Sequence, residues 1–208
     1  FDDKVYHVSA PPADRVDLNT SPSKTEGAGA LEILYTYQAA GLWEKDIVLE
    51  KPLPSTVDMR KMEYVSLDIN VIEPNPCLSL IIHLVDSEGA EAHCGDYDIL
   101  KKPTGGWKTK YYRFNDFRKT QWTSKGRAIN LSRIVKITYH IKNEKPIPAA
   151  GVFRLMLDNA QFYTGGGLLN ETLIDNFETY STDAALAQRW AVNSPDVTVL
   201  ADTSYPFN

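Results

Sequence analysis

Tyr64-Val65-Ser66-Leu67-Asp68-Ile69-Asn70-Val71 is the stretch that decides the fold. Successive side chains of a strand point to opposite faces, so Val65, Leu67, Ile69 and Val71 share one face, and Ser66, Asp68 and Asn70 the other. Working outward, Leu78 to Val85 is almost wholly apolar, the pattern of a strand covered on both sides. Asp86-Ser87-Glu88-Gly89 reads as the turn that follows it, and a returning strand runs through His93 to Ile99. Upstream, Leu31 to Tyr37 and Trp43 to Leu49 are strand candidates, the second stopped by Lys51-Pro52-Leu53-Pro54. Downstream come Lys108 to Phe114, Ile134 to Ile141 and Val152 to Asp158. About eight strands with turn signals between them, and no strong helical period before residue 180, predict an all-β chain. Its architecture would be an antiparallel β-sandwich or jelly roll over residues 1–163.

After Thr164 the chain changes character. Gly165-Gly166-Gly167 opens a linker over 164–172. Leu173 to Glu178 then reads as a short strand, Thr182 to Trp190 as a short helix capped by Thr182, and Val197 to Leu200 as another strand. So short a tail cannot bury a core alone. It must dock on the sandwich, pair with another chain, or belong to a further module.

Composition narrows the function. Of 208 residues, 22 are Lys or Arg and 27 Asp or Glu, a net charge of −5. A mildly acidic chain without a basic block suits neither nucleic acid nor an anionic membrane. Mean hydropathy is −0.32, and no apolar run reaches the roughly 18 residues of a membrane span. Cys77 and Cys94 lie on the two arms of the proposed hairpin, offset from partnership by about four residues, or roughly 13 Å. A disulfide needs Cα atoms within about 7 Å, so free thiols are predicted.

Catalytic patterns are sparse. There is no Gly-x-Ser-x-Gly elbow, no phosphate-binding loop, no Cys-x-x-Cys and no His-Glu-x-x-His. His83 and His93 flank the turn and with Asp96 could make a zinc site, although polar strand residues are the plainer reading. Glu44, Asp46 and Glu50 would share a strand face, at a spacing slightly wider than the roughly 5 Å of a retaining glycosidase pair. Solvated strand positions are again the plainer reading. Aromatic residues carry more: 11 Tyr, 7 Phe and 4 Trp. Trp and Tyr on an exposed sheet face form flat platforms for sugar rings, while neighbouring polar side chains bond the hydroxyls. Trp43, Tyr37, Tyr97 and Trp122 are the platform candidates, and His83 and His140 sit on strands as hydrogen-bonding candidates. Trp107, after Gly105-Gly106, and Trp190 read as packing residues. Trp122 lies in the polar loop Arg118-Lys119-Thr120-Gln121-Trp122-Thr123, where nothing obvious would bury it.

The order of elements resembles a known family. Gly27-Ala28-Gly29-Ala30-Leu31-Glu32, Trp107-Lys108-Thr109 leading to Phe114-Asn115-Asp116-Phe117, and Leu157-Asp158-Asn159-Ala160-Gln161-Phe162 carry the likeness, across residues 16–163. They resemble the galactose-binding-like jelly rolls of carbohydrate-binding modules, closest to the family 11 type. The resemblance implies a non-catalytic module in a secreted or cell-surface bacterial protein, attached to a glycoside hydrolase or polysaccharide lyase. Such a module binds a β-glucan-like or other plant or algal polysaccharide along a concave sheet. It implies a binding role for Arg118 and for Trp122, which falls where the family has a loop Tyr. Thr138 stands in place of a binding His, and Val135 of a binding Asp. Asp158 matches an Asp near a structural calcium. Leu173 to Trp190 resembles the opening strand and helix of a second such module, and Val199 to Pro206 loosely repeats Val16 to Pro22. The chain therefore reads as part of a tandem array, with the strand Ile174–Glu178 filling a gap left by a missing first strand, or else with Asp2 to Val8 as a divergent first strand. The rival readings are a structural spacer and a jelly-roll hydrolase using Glu44, Asp46 or Glu50.

Overall fold

The computed structural model describes residues 14–25, 29–120 and 127–164, with the backbone of 172–175, 191–192 and 197–199. Among the described residues, ten strands form the sandwich: β1 (Arg15–Ser21), β2 (Ala30–Tyr37), β3 (Asp46–Val57), β4 (Met62–Glu73), β5 (Leu78–Asp86), β6 (Glu91–Asp96), β7 (Lys108–Arg113), β8 (Arg118–Lys119), β9 (Ile134–Asn143) and β10 (Gly151–Thr164). Three short strands follow: β11 (Thr172–Asp175), β12 (Ala191–Val192) and β13 (Val197–Val199). One sheet has the order β13-β1-β2-β10-β4-β7, with β11 beside the end of β10. The other has the order β12-β3-β9-β5-β6-β8. Pairing is antiparallel except between β1 and β13, where Val16 faces Val197 in parallel register. The jelly-roll sandwich predicted from alternation is the observed fold.

The core lies between the sheets and is built by period two. Leu31, Ile33, Tyr35 and Tyr37 of β2, Val65, Leu67, Ile69 and Val71 of β4, and Phe153, Leu155 and Leu157 of β10 face inward from one side. Ile47 and Leu49 of β3, Leu78, Leu80, Ile82 and Leu84 of β5, and Ile137, Tyr139 and Ile141 of β9 meet them. Phe153 and Phe162 are fully buried; truncating either to alanine would cost about 3–5 kcal/mol. Every residue of β5 is buried, which matches its continuous apolar run. The β5–β6 turn forms because the Asp86 carboxylate accepts the backbone N–H groups of Glu88 and Ala90 at 2.9 and 2.8 Å. Gly89 there takes a φ of 80°, which a side chain would disfavour.

Some expectations are corrected. β3 does not stop at Pro52 but runs on to Val57, because a register shift between Pro52 and Val57 absorbs the missing donors. β6 ends at Asp96, where that carboxylate turns back onto the N–H of Ile99 and starts a single 3-10 turn. Trp107 is half-buried at the mouth of β7 rather than fully inside. Cys77 and Cys94 are free; Cys94 pairs with Ile82, so Cys77 lies beyond reach. The predicted helix at 182–190 and the candidate first strand at 2–8 lie outside the described residues.

The tail strands join both sheets. β11 pairs with β10, β12 with β3 and β13 with β1. They satisfy backbone groups that β1 and β3 would otherwise expose as open edges. Deleting residues 165–208 should therefore lower the melting temperature, by on the order of 5 °C if a few net hydrogen bonds are lost. A truncated chain that melts with the intact one would remove the tail's structural role.

Candidate functional site

The outer face of the six-stranded sheet carries the polar and aromatic side chains singled out above. The register sets them in rows across the strands. One row is Glu50, Thr138, His83, His93 and Arg118, on β3, β9, β5, β6 and β8. The next is Val48, His140, Ile81 and Gly95. The third is Asp46, Lys142 and Ser79.

The middle of this face is a packed, hydrogen-bonded floor. His83 and His140 stack with ring centroids 4.2 Å apart, and His93 lies 5.5 Å from His83. His140 bonds Asp46 Oδ1 through Nδ1 and Thr138 Oγ1 through Nε2, each at 3.1 Å. His83 Nδ1 lies 3.0 Å from Glu91 Oε2, and His93 Nδ1 lies 3.0 Å from Thr120 Oγ1. His83, Thr138 and His140 are each only 3% exposed. Burial is the main reason that His83 is pushed down to about 4; the neighbouring His140 and His93 add to this, and Glu91 opposes it. Burial also lowers His93. His83 is thus neutral at physiological pH, which suits a stacked pair of rings.

Around this floor stand the exposed groups. Trp43 is 51% exposed and Tyr97 49%. Trp43 adopts a left-handed φ of 63°, unusual for a bulky residue and held only where the surroundings over-determine it. The clamp is Asn143, whose side chain accepts the Lys45 N–H at 2.8 Å and donates to the Gly41 carbonyl at 2.7 Å. Glu44 closes the turn by accepting the Gly41 N–H at 2.6 Å. The Lys142 ammonium sits 5.1 Å from the Trp43 ring centroid, a cation–π contact. Below the turn, Lys45 is fully buried against Asp14, whose carboxylate also accepts the Tyr35 hydroxyl at 2.9 Å and the Gln38 N–H at 2.8 Å.

The predicted site residues thus separate. Trp43 and Tyr97 flank one end of the sheet face, and exposed Arg118 borders the other row. His83, Thr138 and His140 lie on the face but beneath its surface. Tyr37 is a correction: it belongs to the other sheet and packs in the core 5.3 Å from Tyr35, as its alternation with Leu31, Ile33 and Tyr35 requires. Trp122 lies outside the described residues. Glu44, Asp46 and Glu50 do not converge: Glu44 caps a turn, Asp46 holds His140, and Glu50 accepts from Lys136 at 2.8 Å. Asp96 leaves the His83–His93 pair and binds Lys110. Among the described residues no three His, Cys, Asp or Glu side chains are placed to hold a metal ion. Lys142 and Gly95 were missed, though Lys142 lies two residues beyond His140 on the same strand face.

Asp158 sits apart, on the seven-stranded sheet. A bulge after it gives Asn159 a φ of 47° and turns that residue toward Asp68. The Thr25 hydroxyl lies 2.6 Å from Asp68 Oδ2 and 2.9 Å from Asp158 Oδ2. One hydroxyl hydrogen serves only one of them at a time, and backbone and amide groups supply the other donors: Asp158 accepts the Thr25 and Asn159 N–H groups at 2.7 and 2.8 Å, and Asp68 the Asn159 amide at 3.3 Å. Asp68 also accepts from Thr109 at 2.5 Å. Two carboxylates and a hydroxyl oxygen are hard donors of the kind calcium takes, whereas Asn159 presents its Nδ2 to Asp68 at 3.3 Å and its Oδ1 to Gln161.

No family model matches the sequence, and no curated protein does. Solved structures match the fold. A family 11 carbohydrate-binding module from Clostridium thermocellum, in complex with a β-1,3-1,4-mixed-linked tetrasaccharide, superposes with a TM-score of 0.52 at 18% identity, over 73% of this chain and 84% of that one. A family 30 module of a cellulosomal cellulase from the same organism gives 0.50 at 13% identity, over 73% and 84%. Likeness at such identities establishes the jelly-roll architecture that the sequence resemblance implied.

Proposed function

We propose that this chain is a non-catalytic polysaccharide-binding module that holds an attached catalytic domain of a secreted bacterial protein against its glycan. The observation that carries the reading is the pair Trp43 and Tyr97: two half-exposed aromatic rings flanking a hydrogen-bonding sheet face. Aromatic faces bind the apolar faces of sugar rings, and polar neighbours fix their hydroxyls. A β-glucan is the first candidate ligand, given what the family 11 structure contains. The test is a glycan array probed with the purified chain, followed by titration of Trp43→Ala and Trp122→Ala. Binding that is lost in Trp43→Ala supports the module. A blank array from a folded chain would favour the second reading, a structural spacer, which the burial of His83, Thr138 and His140 speaks for.

Structural calcium belongs to the same reading. Asp68 and Asp158 would hold it, with Thr25 and Asn159 nearby, and its charge would relieve the repulsion between the two buried carboxylates. Chelation should then lower the melting temperature of the wild type by several degrees and leave Asp158→Asn unmoved. Identical melts with chelator and with calcium would dismiss the ion.

A further inference from the structure

Two reactive groups meet inside the sandwich, away from the sheet face discussed above. The Asp14 carboxylate and the Lys45 amine touch, with side-chain exposures of 1% and 0%. In water such groups pair as ions and go no further. Shut off from water, a proton moved from the ammonium to the carboxylate leaves both neutral, which a low-dielectric interior favours. The contact then sets a lysine nucleophile, activated by desolvation, against a carboxylic acid. Both are held in place. The Lys45 N–H donates to Asn143 Oδ1 at 2.8 Å, and its carbonyl accepts the Asn143 N–H at 3.1 Å. Asp14 Oδ1 accepts the Gln38 N–H at 2.8 Å, and Oδ2 the Tyr35 hydroxyl at 2.9 Å. Reactants fixed in contact have already lost the freedom that a bimolecular condensation would have to give up.

We propose that Asp14 and Lys45 condense to an intramolecular isopeptide bond. Nζ attacks Cγ, and the C–N bond forms as the carbonyl electrons move to Oδ1, where the Gln38 N–H stabilises the oxyanion. The proton that Nζ sheds passes to Oδ2, which Lys45 already touches. The Cγ–Oδ2 bond breaks, the carbonyl re-forms at Oδ1, and Oδ2 leaves as water. Burial first, and then the Asp14 carboxylate, raise Tyr35 well above the usual phenol range. Its hydroxyl therefore stays protonated and donates to the departing oxygen. One amine and one acid give one amide and one water, so the step needs no oxidant, reductant or cofactor. The product replaces two buried charges with a neutral amide. It also joins the residue before β1 to the residue before β3, in opposite sheets, and so staples the two layers.

The experiment weighs the purified full chain under denaturing conditions, before and after incubation at neutral pH. Wild type is expected about 18 Da below its sequence mass, the weight of one water. Proteolysis should give a branched peptide in which the segments carrying Asp14 and Lys45 are joined. Lys45→Arg and Asp14→Ala should each return to the full mass of their sequence. Mass is read on the unfolded chain, so variants that fold poorly still report. Loss of Lys45 lowers the melting temperature whether the pair is ionic or condensed, so mass and not stability decides. Tyr35→Phe should retain uncondensed chain after wild type is complete, because the departing oxygen has lost its donor. A wild type that keeps its full mass through the incubation would overturn the proposal. So would a loss of water that persists in Lys45→Arg or Asp14→Ala, since the dehydration would then lie elsewhere. Tyr35→Phe condensed as fully and as fast as wild type would overturn the part assigned to the tyrosine.

Discussion

Replacing Lys45 with alanine should melt the protein roughly 10 °C below wild type. Lys45 and Asp14 have no appreciable side-chain exposure, and the pair joins the residue before β1 to the residue before β3, in opposite sheets. Removing one partner of a buried ion pair leaves the other charge in a low-dielectric interior and costs about 3–5 kcal/mol. For a domain of this size each kcal/mol moves the midpoint by about 2–4 °C. Tyr35 and the Gln38 N–H would remain on Asp14, so the loss is softened but not cancelled. The triple variant Asp14→Leu/Lys45→Met/Tyr35→Phe, which removes both charges and the Tyr35 hydroxyl, should recover part of the midpoint, since the Gln38 N–H still loses its acceptor. Tyr35→Phe should cost only about 1 kcal/mol. A Lys45→Ala chain that melts within a degree or two of wild type would show that the pair contributes no net stability.

Acid should destabilise the fold through His83. In the folded chain this imidazole stays neutral down to about pH 4, whereas an unfolded one protonates near 6.5. Between those values the unfolded chain binds the extra proton. Stability therefore falls as pH drops from about 6.5 to about 4, and this contribution is level outside that window. The difference amounts to about 3 kcal/mol, or roughly 8 °C of midpoint. Thermal melts of wild type and His83→Gln across this range read it as a slope. The variant's curve should be flatter whatever its absolute midpoint. Equal slopes would place the acid sensitivity elsewhere.

The sandwich was legible because Val, Ile and Leu alternate with polar residues over whole strands, and one face of each sheet must be buried. Tyr37 was misread as an exposed platform although its three inward neighbours at two-residue spacing place it in the core. β3 misled because prolines are stop signals in sequence, whereas a bulge can carry an edge region past them. The candidate site was legible in its rim. Trp43, Tyr97 and Arg118 flank strands that the alternation located. Its floor was not, since whether His83 or His140 is exposed depends on rings and carboxylates brought from β3, β6 and β9. The Lys45–Asp14 pair depends likewise on register and on side-chain direction, which spacing alone does not encode.

The sheet margins bear on how such molecules behave when crowded. At one side the tail strands β12 and β13 cover β3 and β1. At the other, β7 presents exposed Lys108 and Arg113, and β8 is only the two residues Arg118–Lys119. A margin that is already paired, very short or cationic cannot easily recruit the backbone of a neighbour. Many copies concentrated side by side on one insoluble fibre would therefore repel along these margins, and the coat they form would stay a population of separate, exchangeable molecules.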